Sequence, residues 1–350
     1  MRGRGTGDHC VANLPGGEIV SVSVGLDVAA RTVDVVWRRH GVNSKVSTYE
    51  QAPAGHARLV KALQALQPDH VVLEATGIYY LDLAVALHQA GLPVSVINPK
   101  SARRFAELKL VDTKTDAVDA GLLAEFGQRM TPRRWSAPDQ TRLALRDLGR
   151  QINRLTAART QAKNRLHALQ AKAATLKLLI QDERAGILQL DRRIARLEKA
   201  ALAVIAESSE LSAQLRCMRA AKGIGQTTVI ALLAEFCLLP ADLKAPQVSC
   251  HAGLDVRLTQ SGSSLNRPAR LSKSGNRYLR AALFMPAMSA IQHEPRAKAF
   301  YQALVARGKK KLQALCAVMR KYLTGLWVCF RQAIAFDPAR LFADIHLART

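Results

Sequence analysis

The chain has 350 residues, of which 49% are apolar, so it can form two or three domains with buried cores. Its 51 Lys and Arg residues exceed its 27 Asp and Glu residues, and the formal net charge of +24 indicates a polyanionic partner such as nucleic acid. The sequence has no run of about 18 apolar residues, so it predicts no membrane-spanning helix.

The charge is divided unevenly along the chain. Residues 1–125 carry 13 basic and 13 acidic side chains, whereas residues 126–350 carry 38 basic and 14 acidic ones. The entire net charge therefore belongs to the second part. This asymmetry predicts a carboxylate-bearing module followed by a module that binds a polyanion.

Two further features concern the compartment. Residues 1–18 lack the apolar centre of a signal peptide, so we expect a flexible extension and a cytoplasmic, reducing location. The cysteines form no C-x-x-C pair, which favours buried reduced thiols over a structural zinc site. They are Cys10, Cys217, Cys237, Cys250, Cys316 and Cys329.

Residues 19–130 alternate between strand and helix patterns. Apolar runs rich in β-branched residues predict a meander of three antiparallel strands at 18–28, 30–40 and 44–51. Helices at 53–66 and 79–91 then alternate with short buried strands at 70–76 and 93–99, and a last helix includes 109–120. The order βββαβαβα is that of the ribonuclease H fold, an α/β architecture with a mixed sheet between helices.

Residues 137–210 have a different residue pattern, which is helical and rich in basic side chains. Apolar residues recur at threes and fours among many Arg and Lys, which predicts two long helices forming a hairpin or coiled coil that turns near Ala173 to Thr175. Arms of about 30 residues would reach about 45 Å. The basic surface of this arm could be merely solvated, or could contact nucleic acid or another protomer.

Residues 211–340 are predicted to be mainly helical. Lys222, Gly223 and Gly225 lie in a KGIG turn between two helices, a pattern typical of a helix-hairpin-helix element that brings backbone amides to a phosphate. Such turns are also common without that role. Downstream, a loop rich in Gly and Ser is surrounded by basic side chains that we expect to bind nucleic acid: Arg257, Arg267, Arg270, Lys273, Arg277 and Arg280.

Four carboxylates are expected to converge in the first module. Asp27 and Glu74 end the first and fourth predicted strands, which are neighbours in a ribonuclease H sheet. Asp116 and Asp119 lie three apart on the last helix and face the same way. Such a cluster would raise the carboxyl pKa values unless divalent cations were bound, and hard oxygen ligands select Mg²⁺ or Mn²⁺. Each residue alone has an ordinary alternative as a turn, cap or solvated side chain.

A third aspartate, Asp112, precedes Asp116 and Asp119 and is predicted to have a different role. Asp112 would share the face of Asp116 and Asp119 if the helix began early. The Asp-Thr-Lys-Thr sequence is typical of a helix N-terminus, with Asp112 or Thr115 as the N-cap. We favour Asp112 as a cap or loop residue over a metal ligand.

The motifs VGLDVA, LEATGIYY, VINPKSARRFAELKLVDTKTDAVDA, KGIGQTTVIALLAEF and HAGLDVRLTQSGSSLNRPARLSKSGNRYLRAAL occur in this order. Together they resemble the DEDD transposases of bacterial insertion sequences, the IS110 family with its IS1111 branch. The resemblance extends from about residue 22 to 330. It implies a RuvC-like first domain, a coiled-coil arm and a C-terminal transposase domain. It also implies that Asp27, Glu74, Asp116 and Asp119 form the DEDD set.

The resemblance implies a mechanism that the residues alone do not show. In this family, a noncoding bridge RNA pairs with target and donor DNA, and a serine forms a phosphoserine link to DNA. The matching QSG motif gives Ser261, with Ser263 and Ser264 as close rivals. The family assembly is a tetramer in which the metal site of one protomer meets the serine of another. A bacterial cytoplasmic protein, associated with the nucleoid when bound to DNA, is expected.

Two other functions remain open from the sequence. In one, the four carboxylates cut DNA with water, as in a Holliday-junction-type nuclease, and Ser261 is a turn residue. In the other, the protein only binds nucleic acid and its active site has decayed.

Overall fold

A computed structural model describes residues 21–75, 77, 79–111, 115–261 and 265–343, without the side chains of 259, 261 and 265–268. The chain forms two compact units, Met1–Ala137 and Pro138–Thr350. The first is mixed α/β and the second is mostly helical, which confirms that part of the predicted fold class.

The first unit is built on a mixed sheet. Its strands are β1 (Ser23–Val28), β2 (Thr32–Arg39), β3 (Val42–Asn43), β4 (Ser47–Glu50), β5 (His70–Glu74) and β6 (Val94–Ile97). The order is β3-β2-β1-β5-β6, and β4 also pairs with β2. The first strands are antiparallel, whereas β1, β5 and β6 are parallel to one another. Strand β4 lies within the predicted third strand, 44–51, and pairs antiparallel with β2, whereas the short strand β3 was not predicted.

The helices of this unit are α1 (Pro53–Leu66), α2 (Tyr80–Gln89), α3 (Pro99–Leu108) and α4 (Asp116–Met130). The separate helix α3 was not predicted. It begins where the Asn98 side chain accepts a hydrogen bond from the Lys100 amide at 2.9 Å, with Pro99 at the first helical position. Thr115, and not Asp112, is the N-cap of α4. Asp112 lies outside the described residues.

Helix α4 lies directly on β1. A Cβ atom built on Gly25 would lie 2.0 Å from the Ala120 carbonyl oxygen and 2.4 Å from the Ala124 amide nitrogen. Farther along, a Cβ on Gly127 would lie 2.3 Å from the Ser23 hydroxyl. The helix therefore runs antiparallel to the strand, and its first turn reaches the carboxyl end of β1.

The opposite face of the sheet packs against α1 and α2. Period-two alternation directs Val24 and Leu26 to this face, where they join a buried cluster with Leu59 and Leu83. The face of the sheet toward α4 carries the alternate residues of β1, Gly25 and Asp27. The same alternation thus separates the apolar core from the polar end of the sheet.

The second unit begins with two long helices, α5 (Gln140–Gln170) and α6 (Lys177–Ala206). They pack antiparallel, since Arg159 pairs with Asp191 at 2.8 Å and Arg165 pairs with Glu183 at 2.6 Å. The connection between them includes the predicted turn near Ala173 to Thr175.

The rest of the unit is helical except for one two-stranded ribbon. The elements are α7 (Ser209–Arg219), α8 (Gln226–Phe236), α9 (Ala245–His251), β7 (Val256–Ser261), β8 (Leu265–Leu271), α10 (Arg277–His293), α11 (Pro295–Ala306), α12 (Lys311–Gln332) and α13 (Pro338–Leu341). A core containing Phe236, Tyr322 and Trp327 joins α8 to α12. Among the described residues, no helix is both long and apolar enough to cross a bilayer.

The predicted burial of the cysteines is confirmed only in part. Cys237 and Cys329 are buried, whereas Cys250 is exposed on α9. Cys10 lies outside the described residues.

Replacement of Gly25 by Ala should destabilise the first unit by about 1–3 kcal/mol, because the added methyl group would collide with the backbone of α4. Differential scanning calorimetry of the full chain would measure the loss. Gly186→Ala is the matched control, since nothing lies within 4 Å of its added Cβ in α6, and it should be neutral or stabilising. Equal stability of Gly25→Ala and wild type would contradict the described packing.

Candidate active site and nucleic-acid surface

Asp27 and Glu74 lie side by side at the carboxyl ends of two parallel strands. The pairing of β1 with β5 sets Leu26 beside Leu73, so the next residue of each strand is one of these carboxylates. Both are half-buried. The strand geometry thus brings together residues that are 47 positions apart in sequence.

Asp116 and Asp119 occupy the first turn of α4. The Thr115 hydroxyl accepts a hydrogen bond from the Val118 amide at 3.3 Å and so begins the helix at Asp116. The position of α4 on Gly25 carries this turn to the end of β1, beside Asp27. Carboxylates in a first helical turn also interact favourably with the helix dipole.

All four carboxylates line one cleft of about 740 Å³. Its other wall is helix α3, which contributes Arg103, Phe105 and Glu107. The Phe105 and Phe126 rings pack edge to face at 5.3 Å and hold this wall against α4. Sequence reasoning missed α3 as part of the site, although the Asn-Pro pair before it was a usable helix-start signal.

The electrostatics of the cleft follow from burial and like charges. Burial, and then the nearby charges of Asp119, Asp116, Glu74 and Asp34, raise the pKa of Asp27 to about 6. Asp34 was not predicted. It lies directly opposite Asp27 in the β1–β2 pairing, and it accepts a hydrogen bond from Thr48 at 2.5 Å.

The cleft has the donor chemistry of a divalent-cation site, because carboxylate oxygens are the ligands that Mg²⁺ and Mn²⁺ prefer. Within the described ranges, however, no three His, Cys, Asp or Glu side chains are grouped closely enough to hold a metal ion. The four carboxylates therefore surround the cleft without forming a closed coordination shell.

A different carboxylate on the same helix is fully compensated. Glu125 is buried, and its Oε1 atom accepts hydrogen bonds from Lys109 Nζ at 2.9 Å and Arg129 Nε at 2.6 Å, with Arg38 at 4.0 Å. Burial alone would raise its pKa, but the hydrogen bonds from Lys109 and Arg129 outweigh burial and lower it. The Lys109–Glu125 pair also fixes the end of α3 to α4.

The second predicted centre is the β7–β8 ribbon. Ser261 is the last residue of β7, and its register partner is Leu265. Ser263 and Ser264 lie outside the described residues. The predicted basic residues Arg257, Arg267 and Arg270 all belong to the ribbon, and Arg257 is paired with Arg270 across it.

The base of the ribbon is firmly attached to the helices. Asn276 caps α10 by accepting from the Tyr278 and Leu279 amides, and its Nδ2 donates to Glu235 at 2.6 Å. Glu235 is buried in α8 and accepts two hydrogen bonds from Arg150, at 2.7 and 3.0 Å. This network joins α5, α8 and α10 just after the ribbon ends.

The remaining residues that were predicted to contact nucleic acid differ in exposure and in their hydrogen bonds. Lys273 and Arg277 are exposed, and the Arg277 guanidinium lies 5.1 Å from the Tyr278 ring centroid. Arg280 instead donates to the Ala252 carbonyl at 2.8 Å, which is a contact within the fold.

The KGIG turn lies between α7 and α8. Lys222 is exposed, and Gly225 is the N-cap of α8. Gly223 has a φ of +82°, and a Cβ there would lie 2.8 Å from Ser289 Cβ, so close packing on α10 requires glycine. Thr227, in the first turn of α8, donates to Glu198 of α6. A carboxylate of this chain therefore already lies where a phosphate would have to approach α8.

Asp27→Asn should raise the melting temperature of the metal-free protein at pH 7.5 by a few degrees. Because the folded pKa is raised to about 6, the stability that protonated Asp27 provides is complete below pH 3.8 and is lost as the pH rises through about 6. Calorimetry across this pH range would measure the effect. The exposed Asp82→Asn variant is the control and should not become more stable. Unchanged stability of Asp27→Asn at pH 7.5 would contradict the raised pKa of Asp27.

Glu125→Gln should lower stability at pH 7 by about 2 kcal/mol, because charged hydrogen bonds are lost from a buried group. Since the folded pKa is lowered, the difference from wild type should persist above pH 4.5 and disappear as the pH falls through the folded pKa. Urea unfolding at several pH values would test this. Glu107→Gln, which breaks an exposed pair with Arg103, should change stability by about 0.5 kcal/mol or less. A pH-independent effect of Glu125→Gln would contradict the charge assignment.

Comparisons with known proteins match two separate parts of the chain. Residues 24–173 match the DEDD transposase model of the IS110 family, and residues 215–302 match a model described as the IS116/IS110/IS902 transposase family. The first range contains the four carboxylates, and the second contains Ser261 and the basic ribbon.

Several relatives align over most of the chain. A pilin gene-inverting protein of Moraxella bovis is 29% identical, covering 90% of this chain and 97% of that protein. An uncharacterized 43.6 kDa protein of insertion element IS110 from Streptomyces coelicolor is 24% identical, covering 95% and 99%. The solved structure of T. thermophilus RuvC with a Holliday junction substrate matches 33% of this chain and 98% of that chain, with a TM-score of 0.25 and 15% identity. Two separate parts of the chain therefore match transposase models that include the IS110 family, and together with relatives that align over nearly the whole chain they indicate an enzyme that cleaves and transfers DNA strands.

Proposed function

We propose that this protein cuts and rejoins DNA as the transposase or site-specific recombinase of an insertion sequence, through a serine linked covalently to DNA. The observation that carries the proposal is the convergence of Asp27, Glu74, Asp116 and Asp119 on one cleft, within the range matched by the transposase model. The DNA inversion named for the Moraxella relative supports the same class of reaction.

The four carboxylates are proposed to hold Mg²⁺ or Mn²⁺. Such an ion would stabilise negative charge on the phosphate oxygens during strand cleavage. The raised pKa of Asp27, caused first by burial and then by the neighbouring carboxylates, supports this role, since a bound cation would favour the ionised form.

Ser261 is the proposed nucleophile. Its Oγ would attack a DNA phosphorus, the bond from that phosphorus to one strand oxygen would break, and the departing oxygen would take a proton. Attack by the hydroxyl of another strand would then release the serine and rejoin the DNA. The basic ribbon residues would stabilise the negative charge that develops at the phosphate.

Further features of the proposal rest on the resemblance of the sequence motifs. They are guidance by a noncoding bridge RNA, a tetramer that brings the carboxylates of one protomer to the serine of another, and a coiled-coil arm formed by α5 and α6, whose basic surface would contact nucleic acid or another protomer. Lys222 at the KGIG turn, together with Lys273 and Arg277, is proposed to contact nucleic-acid backbone. The high positive charge of residues 126–350 supports this assignment.

Ser261→Ala should abolish a protein–DNA adduct that survives denaturation, because the oxygen proposed to attack the phosphorus is removed. The assay would incubate the full chain with element-junction DNA, Mg²⁺ and RNA transcribed from the element, and detect the adduct on a denaturing gel. Ser263→Ala is the matched control and should retain the adduct. Undiminished strand cutting by Ser261→Ala would instead show hydrolysis directed by the carboxylates.

A further inference from the structure

The β7–β8 ribbon stands apart from the helices that carry it. Its two strands contact each other and make few contacts with any other element of the described structure. At the base, the Ser272 hydroxyl donates to Asp255 Oδ1 at 2.5 Å, and the Ser272 amide donates to the Asp255 carbonyl at 3.0 Å. The ribbon is thus closed at its base, and its described side chains at 256–258, 260, 269 and 270 are exposed.

Two like charges face each other on this ribbon. Arg257 and Arg270 are direct register partners, and both are exposed. In the part of the chain that the structure describes, neither guanidinium has an ion-pair partner. Like charges directly opposite on paired strands destabilise the pairing, so nothing in the ribbon itself favours this arrangement.

An anion placed between the two guanidinium groups would attract both of them, and this attraction would offset their mutual repulsion. Arginine presents a planar fork of donors that matches the oxygens of a phosphate, and two forks can bind one phosphate from opposite sides. The two strands contain no Asp or Glu, and the Asp255 carboxylate at the base is bonded to Ser272. The ligand therefore has to come from outside the ribbon.

We propose that Arg257 and Arg270 form a clamp on a single backbone phosphate of the DNA strand that Ser261 attacks. Positions 257 and 261 lie four residues apart on the same strand, which is about 13 Å at 3.3 Å per residue. The clamp would therefore hold the DNA near the reacting phosphate without touching it. This inference rests on the proposed role of Ser261 and adds a positioning pair to it.

The test compares the double variant Arg257→Gln/Arg270→Gln with wild type, using full-length protein, a short DNA duplex of arbitrary sequence and a range of salt concentrations. Loss of one clamped phosphate should weaken binding by about tenfold at low salt and reduce the slope of log affinity against log salt by about 1. Formation of the adduct with element-junction DNA should fall by a similar factor. The melting temperature of the free protein should stay constant or rise, because the opposed charges are removed.

The matched control is Arg307→Gln/Arg331→Gln, which removes the same charge from two exposed positions, the C-cap of α11 and the last turn of α12. Equal loss of binding in this control would show that the effect comes from net charge alone, and it would overturn the clamp. A slope change of about 2 would mean two separate phosphates and would also overturn it. A fall in the melting temperature of the ribbon variant would also overturn the clamp. A loss of affinity for an RNA hairpin of the same length, without a loss of affinity for the DNA duplex, would overturn it as well.

The outcomes are distinguishable from failure of the proposed function. If the ribbon variant binds DNA as wild type does while the Ser261-dependent adduct still forms, only the clamp is refuted. If wild type forms no adduct but the ribbon variant loses affinity and salt dependence as expected, the phosphate clamp stands and the serine chemistry does not.

Discussion

The contact between helix α4 and strand β1 at Gly25 determines the geometry of the first unit. The backbone of Ala120 and Ala124 occupies the space that any larger side chain at this position would fill. This close approach brings the first turn of α4 to the end of the sheet. The four carboxylates share one cleft only because the helix lies this close to the strand and runs in this direction.

The same helix carries carboxylates in opposite electrostatic states. Glu125 is buried among Lys109, Arg129 and Arg38, and it stabilises the fold as a charged group. Two turns away, the helix presents acids to Asp27, whose pKa rises to about 6 because burial and like charges disfavour ionisation. The compensated carboxylate serves structure. The carboxylates around Asp27 raise its pKa by repulsion, in addition to burial, and a bound cation would offset that repulsion.

The second unit separates a rigid support from an exposed element. The Arg150–Glu235–Asn276 network, in which Glu235 is buried, joins the helices at the base of the ribbon, and the Asp255–Ser272 hydrogen bonds close that base. Beyond the base, the strands contact mainly each other, and Arg257 and Arg270 are exposed. In the proposed mechanism, the position of Ser261 at the end of the ribbon would leave it accessible to a bulky polymer while the base stays fixed.

The sequence by itself determined the features that depend on local periodicity and composition. Period-two runs located most strands, helical spacing located α1, α2, α5 and α6, and charge asymmetry separated the acidic centre from the basic one. Tertiary structure alone decided that α3 forms the wall of the cleft, that Asp34 faces Asp27 and that Arg257 faces Arg270. These are pairings between distant segments, and they depend on register and on close packing at glycine. Neither leaves a periodic signal in the sequence, because register is set by which face is buried and by which backbones can approach.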